Sequence, residues 1–131
     1  HPLEDLEQSV TAEELTTMQE AVKGIYAAPA IKRYIVSLAR QTREHPDVYL
    51  GASPRGSLAL YRSAQARAAM RGREYILPDD VKALVGSTFG HRLILGPAAR
   101  LRDLNSDEIV REIASGVPVP GGDLTGERRS G

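Results

Sequence analysis

The chain has 131 residues, enough for one hydrophobic core and too few for two. Apolar residues at 41% and charged residues at 26% describe a globular chain and exclude a wholly disordered one. Lys plus Arg and Asp plus Glu both number 17, so no global field draws the chain to nucleic acid or an anionic membrane. The lack of cysteine excludes a disulfide frame, a thiolate metal site and a cysteine nucleophile. No apolar run approaches the roughly 20 residues that span a bilayer. The lack of cysteine fits a reducing cytoplasm, the acidic, polar N-terminus is not signal-like, and a start at His1-Pro2-Leu3 without an initiator Met suggests a piece excised from a longer protein.

Thr11-Ala12-Glu13-Glu14 is a capping box, in which a hydroxyl and a carboxylate satisfy orphan amides at a helix start. Leu15, Met18, Val22 and Ile25 follow at helical spacing, and Gly24 allows an end, which predicts a first helix over 12–23 with one apolar face. Pro29 suits a first turn, and Ile31, Ile35, Leu38, Ala39 and Thr42 form the stripe of a second helix. That helix stops near Arg43 and Glu44, because His45 precedes Pro46. A loop runs from there through Leu50 and Gly51.

Ser53 and Pro54 pair a cap with a first position and open a third helix that reaches Met70 and stops at Gly72. Its Ala59, Ala64, Ala66, Ala68 and Ala69 let neighbours come close, as at the centre of a bundle. Pro78-Asp79-Asp80 starts a fourth helix, with Val81, Leu84, Val85 and Phe89 inward. Arg92 to Leu95, closed by Gly96-Pro97, reads as an extended segment or turn. Ser106-Asp107-Glu108 opens a last helix with Ile109, Val110, Ile113 and Ala114 inward, ending at Gly116. The expectation is an all-α bundle of about five helices over 12–119, preceded by a linker over 1–11 and followed by a loose tail over 120–131 that is short of apolar anchors.

The chemistry concentrates in Gly51-Ala52-Ser53-Pro54-Arg55-Gly56-Ser57, which sets an arginine in the first turn of a helix. A helix N-terminus is already positive, so a cation there costs a few tenths to about 1 kcal/mol unless an anion is present. Free amides at that start, and a guanidinium that forks onto two oxygens, suit a phosphate. Projection of Arg55 into solvent, or pairing with a carboxylate, explains the residue equally well. The stretch is no P-loop, since Ser57 stands where the phosphate-gripping lysine belongs and no strand precedes it.

These residues carry a resemblance. Residues 51–60, with Arg55, look like the second sensor motif of MoxR-family AAA+ ATPases. Pro2-Leu3-Glu4 through Leu15 resembles the linker leaving the ATPase core, and Tyr34-Ile35-Val36 with Thr42-Arg43 resembles the lid's second helix. Ala64 to Ala69, Gly72-Arg73-Glu74-Tyr75, Pro78-Asp79-Asp80-Val81 and His91-Arg92 match the family in order. The likeness spans roughly residues 2–119 and departs at Phe89-Gly90, where the family keeps a continuous helix. It implies an AAA+ lid-type bundle whose Arg55 senses the γ-phosphate of ATP held by the neighbouring core, with Ala52, Ser53 and Pro54 beside the adenosine. It further implies ATP and Mg2+ in the parent, a homo-oligomeric, hexameric ring, and von Willebrand A-type partners in complex assembly or metal-cofactor insertion. The fragment itself lacks the parts that hold phosphates, magnesium and the attacking water, so neither hydrolysis nor a bound cofactor is expected of it alone.

Other signals have plainer readings. His1, His45 and His91 are far apart and lack cysteine partners, which argues against a metal site. His91 and Arg92 are expected to bond the end of the fourth helix, with a subunit contact as the second option. Arg62 falls on nearly the face of Arg55, and Arg67, Arg71 and Arg73 continue a basic tract that is ordinarily a solvated face. Arg62 and Arg73 are candidates for a ring interface. Asp79 and Asp80 read as a helix start rather than a catalytic pair. The rival to the lid is a free-standing helical interaction or DNA-binding module, prompted by the arginines and by the likeness of residues 72–81 to histone-fold segments. Neutral net charge argues against it.

Overall fold

A computed structural model describes residues 3–127. Among them lie six α-helices: α1 (Ala12–Lys23), α2 (Pro29–Glu44), α3 (Pro54–Met70), α4 (Pro78–Phe89), α5 (Pro97–Leu101) and α6 (Ser106–Gly116). Two short strands, β1 (Val48–Leu50) and β2 (Ile94–Leu95), pair antiparallel with Val48 opposite Leu95 and Leu50 opposite Ile94. The all-α bundle holds, with one helix more than the sequence suggested. The extra one, α5, is a single short turn begun by Pro97, and it buries only Ala99.

Local chemistry sets the helix ends. Thr11 Oγ1 accepts from the Glu14 amide at 3.0 Å while Glu14 accepts from the Thr11 amide at 3.2 Å, the reciprocal box read from the sequence. Ser53 Oγ accepts from the Gly56 amide, Asn105 Oδ1 from the Glu108 amide, and Asp80 Oδ2 from the Leu77 amide. Gly72, just past α3, has φ +72°, which a glycine adopts without a Cβ clash.

The core lies between α2, α3, α4 and α6. Ile31, Ile35, Leu38 and Ala39 of α2 meet Leu60, Ala64 and Ala68 of α3, and Val81, Val85 and Phe89 of α4 meet Ile109, Val110 and Ile113 of α6. Ala64 and Ala68 are fully buried, so the alanines of α3 do set it at the centre. Tyr34 is buried with its hydroxyl unpartnered among the described residues, and burial pushes its phenol up.

Two expectations need correction. The apolar face read for α1 is covered only toward its C-terminal end: the helix itself buries no residue, Leu15 and Met18 are 48% and 45% exposed, Val22 is half-buried and Ile25 lies in the core. Nor is the tail loose from residue 120. Leu124 is buried, Asp123 Oδ1 accepts from the Thr125 amide, and Gly126, at φ +82°, lies so near the Tyr26 ring that a Cβ would fall 3.0 Å from it. The tail reading for residues 128–131 lies outside the described residues.

Candidate functional site

The segment from Gly51 to Ser53 is clamped against the end of α2. Thr42, wholly buried, donates to the Ala39 carbonyl at 2.6 Å and accepts from the Ala52 amide at 2.8 Å. Arg43 Nη1 donates to the Ala52 carbonyl at 3.1 Å, so both polar groups of Ala52 are held by α2. A Cβ on Gly51 would stand 2.6 Å from the Arg43 amide nitrogen, a backbone atom that cannot yield, and only glycine permits that approach. The start of α3 is thereby fixed before its first turn begins.

Arg55 is exposed in that first turn, and no carboxylate of the described residues pairs with it. The first turn of α3 holds no acid, whereas α1, α4 and α6 each carry two there. Ala52 is buried while Ser53 and Pro54 are exposed; all three line a groove together with Arg43, Tyr49, Leu50 and Arg92. Tyr49 was not singled out from the sequence, and Arg43 was read only as part of the second helix. Arg43 sits one residue past the apolar stripe of α2, and only the fold brings it to a loop nine residues on.

The remaining candidates separate. Arg92 donates from Nε to the Thr88 carbonyl at 3.0 Å, and His91 Nδ1 lies 3.2 Å from the Ser87 carbonyl, so both cap the end of α4 as expected. That helix stops at Phe89 and passes into a 3-10 turn over Gly90–Arg92. Gly90 there runs against α6, where a Cβ would meet Asp107 Oδ1 at 2.7 Å. Arg62 is exposed on α3. Arg73, a candidate for a ring interface, is engaged within the chain. Its Nη1 and Nη2 donate to the two oxygens of Asp80 at 2.7 Å each, and Arg67 Nη1 donates to Asp80 Oδ1 at 2.6 Å. Asp80 is fully buried; burial alone would raise its pKa, but the Arg73 bonds, the Leu77 amide and Arg67 together hold it below the usual carboxylate value. The same bond to Asp80 keeps Arg73 more firmly protonated, against the opposing effect of its own burial. The acid of the helix start is thus also the anchor of a buried ion cluster. Among the described residues no group of His, Asp and Glu is arranged to hold a metal.

The clamped loop thus opens a central helix with Arg55 exposed in its first turn. The family profile described as the AAA lid domain matches residues 40–113, and the chain belongs to that family. It is 44% identical over 120 residues to the YeaC protein of Bacillus subtilis, covering 92% of this chain and 38% of that protein. To the protein MoxR of Paracoccus denitrificans it is 32% identical over 111 residues, covering 74% of this chain and 33% of the other. A crystal structure of a candidate ATPase from Cytophaga hutchinsonii superposes with a TM-score of 0.73 at 25% identity, over 78% of this chain and 34% of that one. More particularly, then, this is the lid domain of a MoxR-type AAA+ protein, and it spans about a third of the length of the relatives it matches.

Proposed function

We propose that this domain is the ATP-sensing lid of a MoxR-type AAA+ ATPase, and that Arg55 is its sensor. The observation that supports this best is Arg55 itself: a cation in the first turn of α3, exposed, with no acid in that turn and no carboxylate partner among the described residues. Such an arginine is unfavourable until an anion arrives. With ATP and Mg2+ in the parent's core, Arg55 and the first amides of α3 gain charge-assisted bonds to the terminal phosphate. Hydrolysis weakens that attraction and releases the lid to a different angle, a shift driven by differential contact in the two nucleotide states. Ala52, Ser53 and Pro54 shape the adenosine side of the same groove.

In this reading the lid works with its own AAA+ core in a cytoplasmic homo-oligomeric ring, with von Willebrand A-type partners, to remodel or assemble client complexes in the manner of a chaperone. Among the described residues no helix is long and apolar enough to cross a membrane. The DNA-binding alternative loses ground, because Asp80 takes up Arg67 and Arg73, two arginines of the basic tract that prompted it. Arg55→Ala in the full-length parent tests the reading. A lost charge-assisted bond is worth about 1.5–3 kcal/mol, so turnover or its coupling to remodelling should fall about 10- to 100-fold, and unchanged ATPase activity and coupling would refute the role.

A further inference from the structure

Arg92 is the residue of the groove that the sensor reading leaves unused. It belongs to the 3-10 turn after α4, yet it lines the same groove as Ala52, Ser53 and Pro54. Two contacts hold it there. Its Nε donates to the Thr88 carbonyl, and its Cδ lies 3.4 Å from where a Cβ on Gly56 would be, so its stem crosses α3 one residue beyond Arg55. Gly56 is buried in the α3–α4 contact, where a Cβ would come within ordinary van der Waals reach of Arg92, Ala52 and Phe89. With Nε engaged, the two terminal nitrogens of Arg92 have no partner among the described residues.

The charge around them is one-sided. Arg43 and Arg92 line the groove, Arg55 stands at the adjoining helix start, and no Asp or Glu is among the lining residues. The chain carries 17 charges of each sign, yet none of its acids lines this groove. Like charges held together repel, and a polyanion set between them removes that cost while gaining their hydrogen bonds. Arg43 is partly spent on the Ala52 carbonyl; Arg92 is anchored at Nε with its outer nitrogens unspent.

We infer that Arg92 is a second nucleotide-contacting cation, which binds the phosphates of the nucleotide that Arg55 senses; this rests on the ATP-sensing reading and adds a residue to it. Arg92 is tied to the end of α4 while Arg55 opens α3, so a phosphate held by both joins two helices that pack against each other. Nucleotide occupancy then reaches α4 directly, and through Gly90 against Asp107 it reaches α6.

The experiment uses the full-length parent carrying Arg92→Met, which keeps a linear stem over Gly56 and removes the charge, beside Arg92→Lys, which restores a cation, and Arg55→Ala as reference. Binding of ADP and of a non-hydrolysable ATP analogue is titrated calorimetrically, ring size is measured by mass photometry, and a thermal melt confirms folding. Arg92→Met should weaken nucleotide binding about tenfold with ring size unchanged, and Arg92→Lys should recover part of that loss. Nucleotide affinity within about twofold of the parent overturns the inference, and so does a ring that dissociates while each subunit still binds nucleotide normally, which would make Arg92 a subunit contact. If Arg55→Ala impairs turnover and Arg92→Met does nothing, only the role of Arg92 falls. If both are silent, the sensor reading falls as well.

Discussion

At the scale of single residues, Asp80 shows how one side chain serves local and tertiary structure together. As the third residue of α4 it accepts from the Leu77 amide, which any helix-start acid could do, but it also receives three guanidinium bonds in a fully buried position. Removing one partner of such a cluster leaves buried charge uncompensated. Asp80→Asn should therefore cost about 3–5 kcal/mol at neutral pH in a urea titration. The pH dependence follows from the sign of the shift. The folded pKa of Asp80 is depressed, so its contribution is present above the unfolded value of about 3.9 and is lost as pH falls through the folded pKa. Melting temperature followed from pH 5 downward should thus fall less steeply in Asp80→Asn than in the parent. A variant as stable as the parent at pH 7, with an identical acid limb, would show that the cluster carries no net stability.

At the scale of elements, the helices divide by what holds them. α2 is held by burial: Ile31, Ile35, Leu38 and Ala39 are all within the core, and its stripe was plain in the sequence because the 3.6-residue period and a single apolar face coincide. α1 carries the same kind of period at Leu15, Met18 and Val22, yet it lies with that face largely in solvent and is held locally by the Thr11–Glu14 box and at its C-terminal end by Ile25 in the core. Periodicity tells which side of a helix can be buried, and it is silent on whether a neighbour exists to bury it. The consequence is measurable. Leu15→Ala with Met18→Ala should change the unfolding free energy of this chain by less than about 0.5 kcal/mol, whereas Ile35→Ala should cost about 2–5 kcal/mol. A loss of core size from the α1 pair would mean that the helix folds back onto the bundle.

At the scale of the whole molecule, what could be read from the sequence was what residues near one another determine. The caps at Thr11, Ser53 and Asp80, the stop at Gly72 and the first-turn Arg55 all lie within a few positions of the feature they control. The clamp of Thr42 and Arg43 on Ala52, the pairing of Arg67 and Arg73 with Asp80, and the seat of Leu124 join residues brought together only by the fold, and no local pattern announces them. Leu124 is the instructive case, a lone apolar residue in a stretch of Gly, Asp and Thr that composition alone assigns to a free tail. It is nevertheless 8% exposed, and the turn built by Asp123 and Thr125 sets Gly126 on the Tyr26 ring. Tyr26 in turn ties the α1–α2 junction to the segment before α4, donating to the Glu74 carbonyl at 2.8 Å and accepting from the Ile76 amide at 2.9 Å. The strap thus packs on the α1–α2 junction beside the segment that leads into α4. Leu124→Ala should lower stability by about 2 kcal/mol, near the lower end for buried leucine because the site lies at the surface. Hydrogen exchange should locate the loss: the Tyr26 and Ile76 amides exchange faster in the variant, while core amides of α3 slow or quicken only with global stability. Unaltered exchange at Tyr26 and Ile76, with no change in stability, would return residues 121–127 to the free tail that their composition suggests.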